Sequence, residues 1–194
     1  ASHSAILQAG LGMAMSGVSF WGYDLGGFYN TGYIGNEERP NIEDYLSSVQ
    51  MGLWMPLSRA HGKTPREPWQ YGDMALKEVK KWINFRHRLV PYLYHTACQS
   101  HQSGIPMIRP LVMEYPKDPI AKIQNLSYML GDALLISPGF DRDEYELYLP
   151  EGRWQDIESK EVYEGMTFVH IENKAFADGG TSLRVFQKEG TSIP

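Results

Sequence analysis

The chain opens on a nearly unbroken apolar stretch. Ile6, Leu7, Leu11, Met13, Ala14 and Met15 predict a helix, with Ser2 or Ser4 as its cap and Gly17 as its stop. Gly10 and Gly12 would let neighbours approach closely, and a helix this apolar needs cover on more than one side. Val18 to Asp24 then reads as a short aromatic strand, turned sharply by Gly26 and Gly27. A second helix follows Asn41 or Asp44, with Tyr45, Leu46, Val49, Leu53 and Trp54 on its apolar face. Pro56 to His61 is a second short strand, and Gly62 to Pro68 a loop. Asp73 should cap a long helix that ends at Gly104, with Val79, Trp82, Ile83, Leu89, Val90 and Leu93 buried and a kink at Pro91.

Past Gly104 the spacing changes from helical to alternating. Met107–Met113 is extended, and a short helix is expected near Pro119–Gln124. Tyr128–Leu130, Ala133–Ser137, Tyr145–Leu149, Thr167–Ile171 and Leu183–Phe186 then read as strands separated by turn residues. This divides the chain near residue 115 into an α/β part, 1–115, and an all-β part, 116–194, with the strand spacing of a small sandwich.

Composition narrows the chemistry. The 194 residues are 42% hydrophobic and 21% charged, which supports a core and argues against disorder. The net charge of -5 lacks the basic footprint that nucleic-acid binding needs. One cysteine, Cys98, excludes an internal disulfide framework and a cysteine-rich metal site. No apolar run is long enough to span a membrane, and the first residues lack the pattern of a signal peptide. The compartment stays open, with the cytoplasm preferred. Five Trp and twelve Tyr suit either a well-packed core or recognition of sugars and similar amphipathic ligands.

The order helix, strand, helix, strand, helix implies parallel strands joined by right-handed crossovers. Successive strands then end on one side of the sheet, where α/β proteins place their sites. Asp24 and His61 each end such a strand, so they should open into one crevice lined by Trp21, Tyr23 and Phe28. An aspartate there is also a common turn cap, and a histidine a common loop residue. Other patterns lack their partners. Gly62-Lys63-Thr64 has no earlier glycine of a phosphate loop, and neither an HExxH pair nor a GxSxG elbow occurs.

Leu11-Gly-Met-Ala-Met-Ser-Gly-Val-Ser-Phe-Trp-Gly-Tyr-Asp-Leu-Gly-Gly-Phe28 resembles a hallmark stretch of glycoside hydrolase family 31, the α-glucosidases and α-xylosidases. Ser58-Arg-Ala-His-Gly62 with Arg66-Glu-Pro-Trp69 resembles that family's last barrel strand and loop, and Arg88-Leu-Val-Pro-Tyr-Leu-Tyr94 its final barrel helix. Pro106–Glu114, Tyr128–Pro138, Leu149–Trp154 and Val185–Pro194 resemble its first C-terminal β domain and the approach to it.

The resemblance implies the last strands and helices of a (β/α)8 barrel over 1–115, followed by a β-sandwich domain over 116–194. It implies an oligosaccharide substrate held by Trp21, Asp24 and His61, with no cofactor and no metal. It also implies that both catalytic carboxylates lie upstream of Ala1. The family's nucleophilic aspartate belongs to a Trp-x-Asp-Met-type motif that does not occur here. Its acid/base aspartate sits in a Gly-Asp pair just before the helix that begins this chain, and Ala1 comes a few residues too late to include it. The chain is therefore expected to be an inactive C-terminal fragment that self-associates through uncovered barrel edges. The stretch from Asn30 to Asn41 looks longer than the usual family loop, which bears on rim contacts. The alternatives are a non-enzymatic sugar-binding or barrel-completing subunit, or a parent that is a transglycosidase or lyase.

Overall fold

A computed structural model describes residues 3–28, 40–63, 65–140, 142–173 and 183–193. Ala1, upstream of which the catalytic aspartates are expected, lies outside the described residues, and so does most of the stretch from Asn30 to Asn41. The first helix, α1 (His3–Met15), buries Leu7, Gly10, Leu11 and Ala14, while Met13 and Met15 stay exposed. Strand β1 (Gly22–Leu25) is shorter than the apolar run before it. A strand needs a partner for its backbone, and β2 (Leu57–Ala60) reaches only this far. Val18 and Phe20 project into solvent instead.

Between the two strands runs α2 (Ile42–Leu53), started by Asn41, whose side-chain oxygen accepts from the Asp44 backbone N–H at 2.8 Å. Its apolar face, Tyr45, Leu46, Val49 and Leu53, joins Leu25 and the next helix in one core cluster. β1 and β2 pair in parallel, Gly22 with Leu57 through Leu25 with Ala60. A Cβ at position 22 would collide with the Leu57 carbonyl, so only glycine fits there.

The long helix is two helices. α3 (Asp73–Arg88) and α4 (Val90–Ser103) meet at Leu89. Pro91 cannot donate a backbone bond, and its ring crowds the carbonyl four residues back. The predicted kink is therefore a full break, and Val90, expected in the buried stripe, is half exposed. The capping position of α3 is Gly72, at φ 91°, rather than Asp73. Asp73 instead stands in the first turn, where its charge faces the helix's positive end. Gly104 closes α4 in the left-handed conformation, as its position predicts.

After it come β3 (Ile108–Pro110), a one-turn helix α5 (Leu111–Glu114), then β4 (Tyr128–Leu130), β5 (Leu134–Pro138), β6 (Glu144–Leu149), β7 (Arg153–Asp156), β8 (Val162–Glu164), β9 (Thr167–Glu172) and β10 (Leu183–Lys188). Six strands form an antiparallel sheet in the order β3-β4-β5-β10-β7-β8, and β6 pairs with β9 in a separate ribbon. Met129, Leu135, Trp154 and Phe186 from the sheet meet Leu147, Leu149, Val169 and Ile171 from the ribbon in a two-layered core. The sheet's other face packs on the helical part. Leu7, Leu11, Trp21, Met55 and Leu93 share one cluster with Ile108, Tyr128, Leu130, Ile136 and Val185. The observed architecture is thus an α/β portion with parallel strands joined to a β domain.

One buried cation fastens the joint. Arg109, 7% exposed, donates to Glu114 at 2.6 Å and to Asp132 at 2.7 Å. Arg109's hydrogen bond holds the Asp132 carboxyl below its ordinary pKa, and burial opposes this only in part. A carboxyl depressed on folding stabilises above its unfolded pKa of about 3.9 and loses that contribution as pH falls through the folded value. Asp132→Asn should therefore be less stable than wild type at pH 7, with the gap closing towards pH 2–3. Urea midpoints at the two pH values check this; a gap constant with pH would refute it.

Candidate functional site

The carboxyl ends of β1 and β2 are where the sequence leaves ordinary strand geometry. β1 stops because Gly26 and Gly27 take φ of 81° and 75°, turning the chain back so that Gly27 N–H donates to Asp24 carbonyl at 2.8 Å. β2 stops at Ala60, one residue before His61 and Gly62. In the parallel register Asp24 faces Arg59 and Leu25 faces Ala60. His61 is thus one step beyond the paired region, with its Cα roughly 8 Å from that of Asp24, by strand spacing and rise. Strand alternation puts Asp24 and Arg59 on one face and, continued two residues, carries His61 to the same face.

The two loops above this edge are stitched together. Arg66, 6% exposed, donates from Nε to the Gly27 carbonyl at 2.6 Å, and the buried Tyr45 hydroxyl donates to the Arg66 carbonyl at 2.8 Å. Lys63 N–H donates to the Phe28 carbonyl at 3.1 Å, and the Phe28 and His61 rings lie 5.1 Å apart. Any side chain at Gly62 would press on Arg66 Nε and on the Gly27 and Phe28 carbonyls. Tyr45 itself is stacked on Tyr71 at 3.7 Å. The edge is therefore held from below by α2 and from the side by Arg66.

Asp24 accepts from Arg59 Nε at 2.6 Å through Oδ1, and its Oδ2 has no hydrogen-bond partner among the described residues. The Arg59 side chain is 59% exposed and that of Asp24 is 20% exposed, so the pair opens to solvent. His61 is exposed beside it. These groups offer an oriented carboxylate oxygen, a guanidinium and an imidazole within a few ångströms, a set suited to neighbouring hydroxyls. Residues 22–28 and 57–63 contain one carboxylate, Asp24, so this edge alone cannot supply an acid/base pair. Among the described residues no cluster of His, Cys, Asp and Glu could hold a metal.

Trp21 is elsewhere. It precedes β1, is 9% exposed, and lies against α1, where a Cβ at Gly10 would collide with its ring. Alternation sends it, with Tyr23 and Leu25, to the helix side of the sheet. Burial raises the Tyr23 hydroxyl above its ordinary pKa, and Ser48 on α2 bonds it. The structure thus brings Asp24 and His61 to one edge and sets Trp21 beneath it. Arg59 and Arg66 were not singled out from sequence. The parallel register would have found Arg59, whereas nothing local marks Arg66 as a staple.

Comparison with known proteins agrees across nearly the whole chain. Residues 1–96 match the family model described as the glycosyl hydrolases family 31 TIM-barrel domain, and residues 104–193 match the glycosyl hydrolase family 31 C-terminal domain. Neutral alpha-glucosidase AB of Mus musculus is 33% identical over 191 residues, 95% of this chain and 19% of the relative. Alpha-xylosidase XylQ of Lactiplantibacillus pentosus is 33% identical over 173 residues, 88% of this chain and 22% of its own length. A 1,6-alpha-glucosyltransferase of Sporosarcina globispora is 32% identical, over 90% of this chain and 14% of the relative. The chain thus spans about a fifth of the length of these relatives. Among solved structures, a Flavobacterium johnsoniae GH31 dextranase complexed with glucose superposes with a TM-score of 0.84 at 31% identity, covering 98% of this chain and 23% of that one.

Proposed function

Given that the chain belongs to glycosyl hydrolase family 31, we propose that it forms the last strands and helices of the barrel and the adjoining β domain of a retaining α-glycosidase. Its substrate is an oligosaccharide ending in α-linked glucose or xylose. The observation that carries the reading is the shared edge: Asp24, Arg59 and His61 stand together at the carboxyl ends of parallel strands, the end at which barrels bind. Asp24 accepts from a sugar hydroxyl through Oδ2 while Arg59 keeps the carboxylate oriented. His61 bonds a second hydroxyl, and Phe28 beside it covers an apolar face of the ring. Trp21 supports this wall from below.

Such hydrogen bonds act on rate as well as affinity. Charge develops on the ring as the glycosidic bond breaks, and contacts to its hydroxyls strengthen in the transition state. The bond-breaking carboxylates, about 5 Å apart in retaining enzymes, come from outside these 194 residues, upstream of Ala1, and the chain by itself is inactive. The exposed Met13, Met15, Val18, Phe20 and Leu57 form an apolar edge that the rest of a barrel would cover and through which the lone chain self-associates.

The test uses the full-length protein with p-nitrophenyl α-glucoside and α-xyloside, following the anomeric proton of the product by NMR. Early release of the α-anomer from one of the two is the expected result. First release of the β-anomer would overturn the retaining mechanism. A folded protein that turns over neither substrate would leave the barrel-completing, non-enzymatic reading. The glucosyltransferase relative favours one variation, in which a sugar hydroxyl rather than water takes up the glycosyl group; disaccharide products would show it.

A further inference from the structure

Away from the Asp24 edge, α2 and α3 meet the β domain across a cleft of ≈ 210 Å³. Its helical side is aromatic. Trp54, Trp82 and Phe85 line it, with the Trp54 and Phe85 rings 5.6 Å apart and tilted by 52°. Its other side is charged, with Asp156 and Glu158 from the turn after β7 and Arg184 from β10. Lys81 of α3 reaches across to Glu158 at 3.9 Å.

These charges are positioned but not used up. Asp156 is 4% exposed and is fixed through Oδ1, which accepts from the backbone N–H groups of Glu158 and Ser159 at 2.7 and 3.1 Å. Arg184 lies 4.0 Å from Asp156 Oδ2 and 3.7 Å from Glu158, too far for good hydrogen bonds. Its Nε is buried with no hydrogen-bond partner. A buried donor without a partner is unfavourable, so its presence beside a cleft marks capacity for a ligand. By contrast, Arg86 spends its guanidinium on the carbonyls of Leu53 and Pro56, at 2.5 and 2.9 Å, and serves structure.

The facing charges, Lys81 and Arg184 against Asp156 and Glu158, cancel. The lining therefore suits a neutral ligand with an apolar face and a hydroxylated rim. The volume is below the roughly 300–1,000 Å³ of sites for larger ligands, which leaves room for one ring. From this we infer that the cleft is an accessory carbohydrate site holding a single pyranose unit of a longer saccharide. Its ring C–H face rests on Trp82, and its hydroxyls reach Glu158 and Arg184. The assignment comes from the lining of this cleft alone and does not need the Asp24 edge to bind sugar.

The experiment titrates maltotriose into the full-length protein carrying Asp24→Ala, by calorimetry, so that the accessory site reports. Saturable binding should remain. Adding Trp82→Ala should weaken it about tenfold, the scale of one lost aromatic platform, while Trp82→Phe restores most of it. Arg184→Gln, a rim change that leaves the aromatic side intact, should weaken binding several-fold and keeps the test decisive if Trp82→Ala fails to fold. Three results would overturn the inference: no saturable binding in the Asp24→Ala protein, affinity unchanged by the cleft substitutions, or displacement of maltotriose by inorganic phosphate, which would make this an anion site.

Discussion

Replacing Asp24 with alanine in the full-length enzyme should lower kcat/KM on an aryl α-glycoside by about a hundred- to a thousandfold, the range seen when one pre-aimed polar group is lost from a transition-state site. The carboxylate is fixed before substrate arrives. Its backbone is held by the turn at Gly26–Gly27, and one oxygen is held by Arg59 at 2.6 Å. That leaves the other oxygen aimed without further ordering. Most of the loss should fall on kcat, because the sugar hydroxyls acidify only as charge builds on the ring. Arg59→Ala keeps the carboxylate and frees it to rotate, so its loss should be clearly smaller than that of Asp24→Ala. Equal losses would make Arg59 a direct substrate ligand. A change below tenfold in Asp24→Ala would remove Asp24 from the site.

The largest effect on stability should come from Trp154→Ala, at about 3–5 kcal/mol, the usual range for deleting a buried large aromatic side chain. Trp154 is fully buried on β7, between the six-stranded sheet and the ribbon. Its indole N–H donates to the Pro150 carbonyl at 2.9 Å, so the substitution strands a buried acceptor as well as opening a cavity. Phe186, Leu147 and Leu149 around it are also fully or almost fully buried and cannot collapse inward without breaking sheet pairing. Trp154→Phe should recover much of the loss, because it restores volume and leaves the acceptor alone. Chemical denaturation of the three proteins measures this. A loss under 1 kcal/mol for alanine would mean that the two β layers do not depend on this contact.

The elements that sequence pattern could read were those whose cause is local. Asn41 with apolar positions at Tyr45, Leu46 and Val49 announces α2, and Gly104 announces the end of α4. Alternation announces β6 and β9. The elements it missed depend on partners far along the chain. Arg153–Asp156 and Val162–Glu164 are too short and too polar to stand out, and they become strands only because β10 and each other lie alongside. The extended reading of 107–113 continued past Pro110, where the chain instead coils into α5. At the site, the order of elements was enough to bring Asp24 and His61 to one edge, since parallel pairing leaves little choice. Trp21, one residue before β1, obeys strand alternation, and this sends it under α1 rather than beside Asp24. Arg59 required the exact pairing of two strands, which no local pattern encodes.

The core that joins Leu7 and Leu11 of the first helix to Ile136 and Val185 of the last sheet has a bearing on heredity. Neither half has a finished surface at that junction, so melting one half exposes greasy surface on the other, and the two should come apart in a single cooperative transition. Crossovers between distant relatives that cut the gene between α4 and β3 would mate mismatched halves. Such a seam is inherited as a unit, and the barrel's final turn and its β companion should diverge in step.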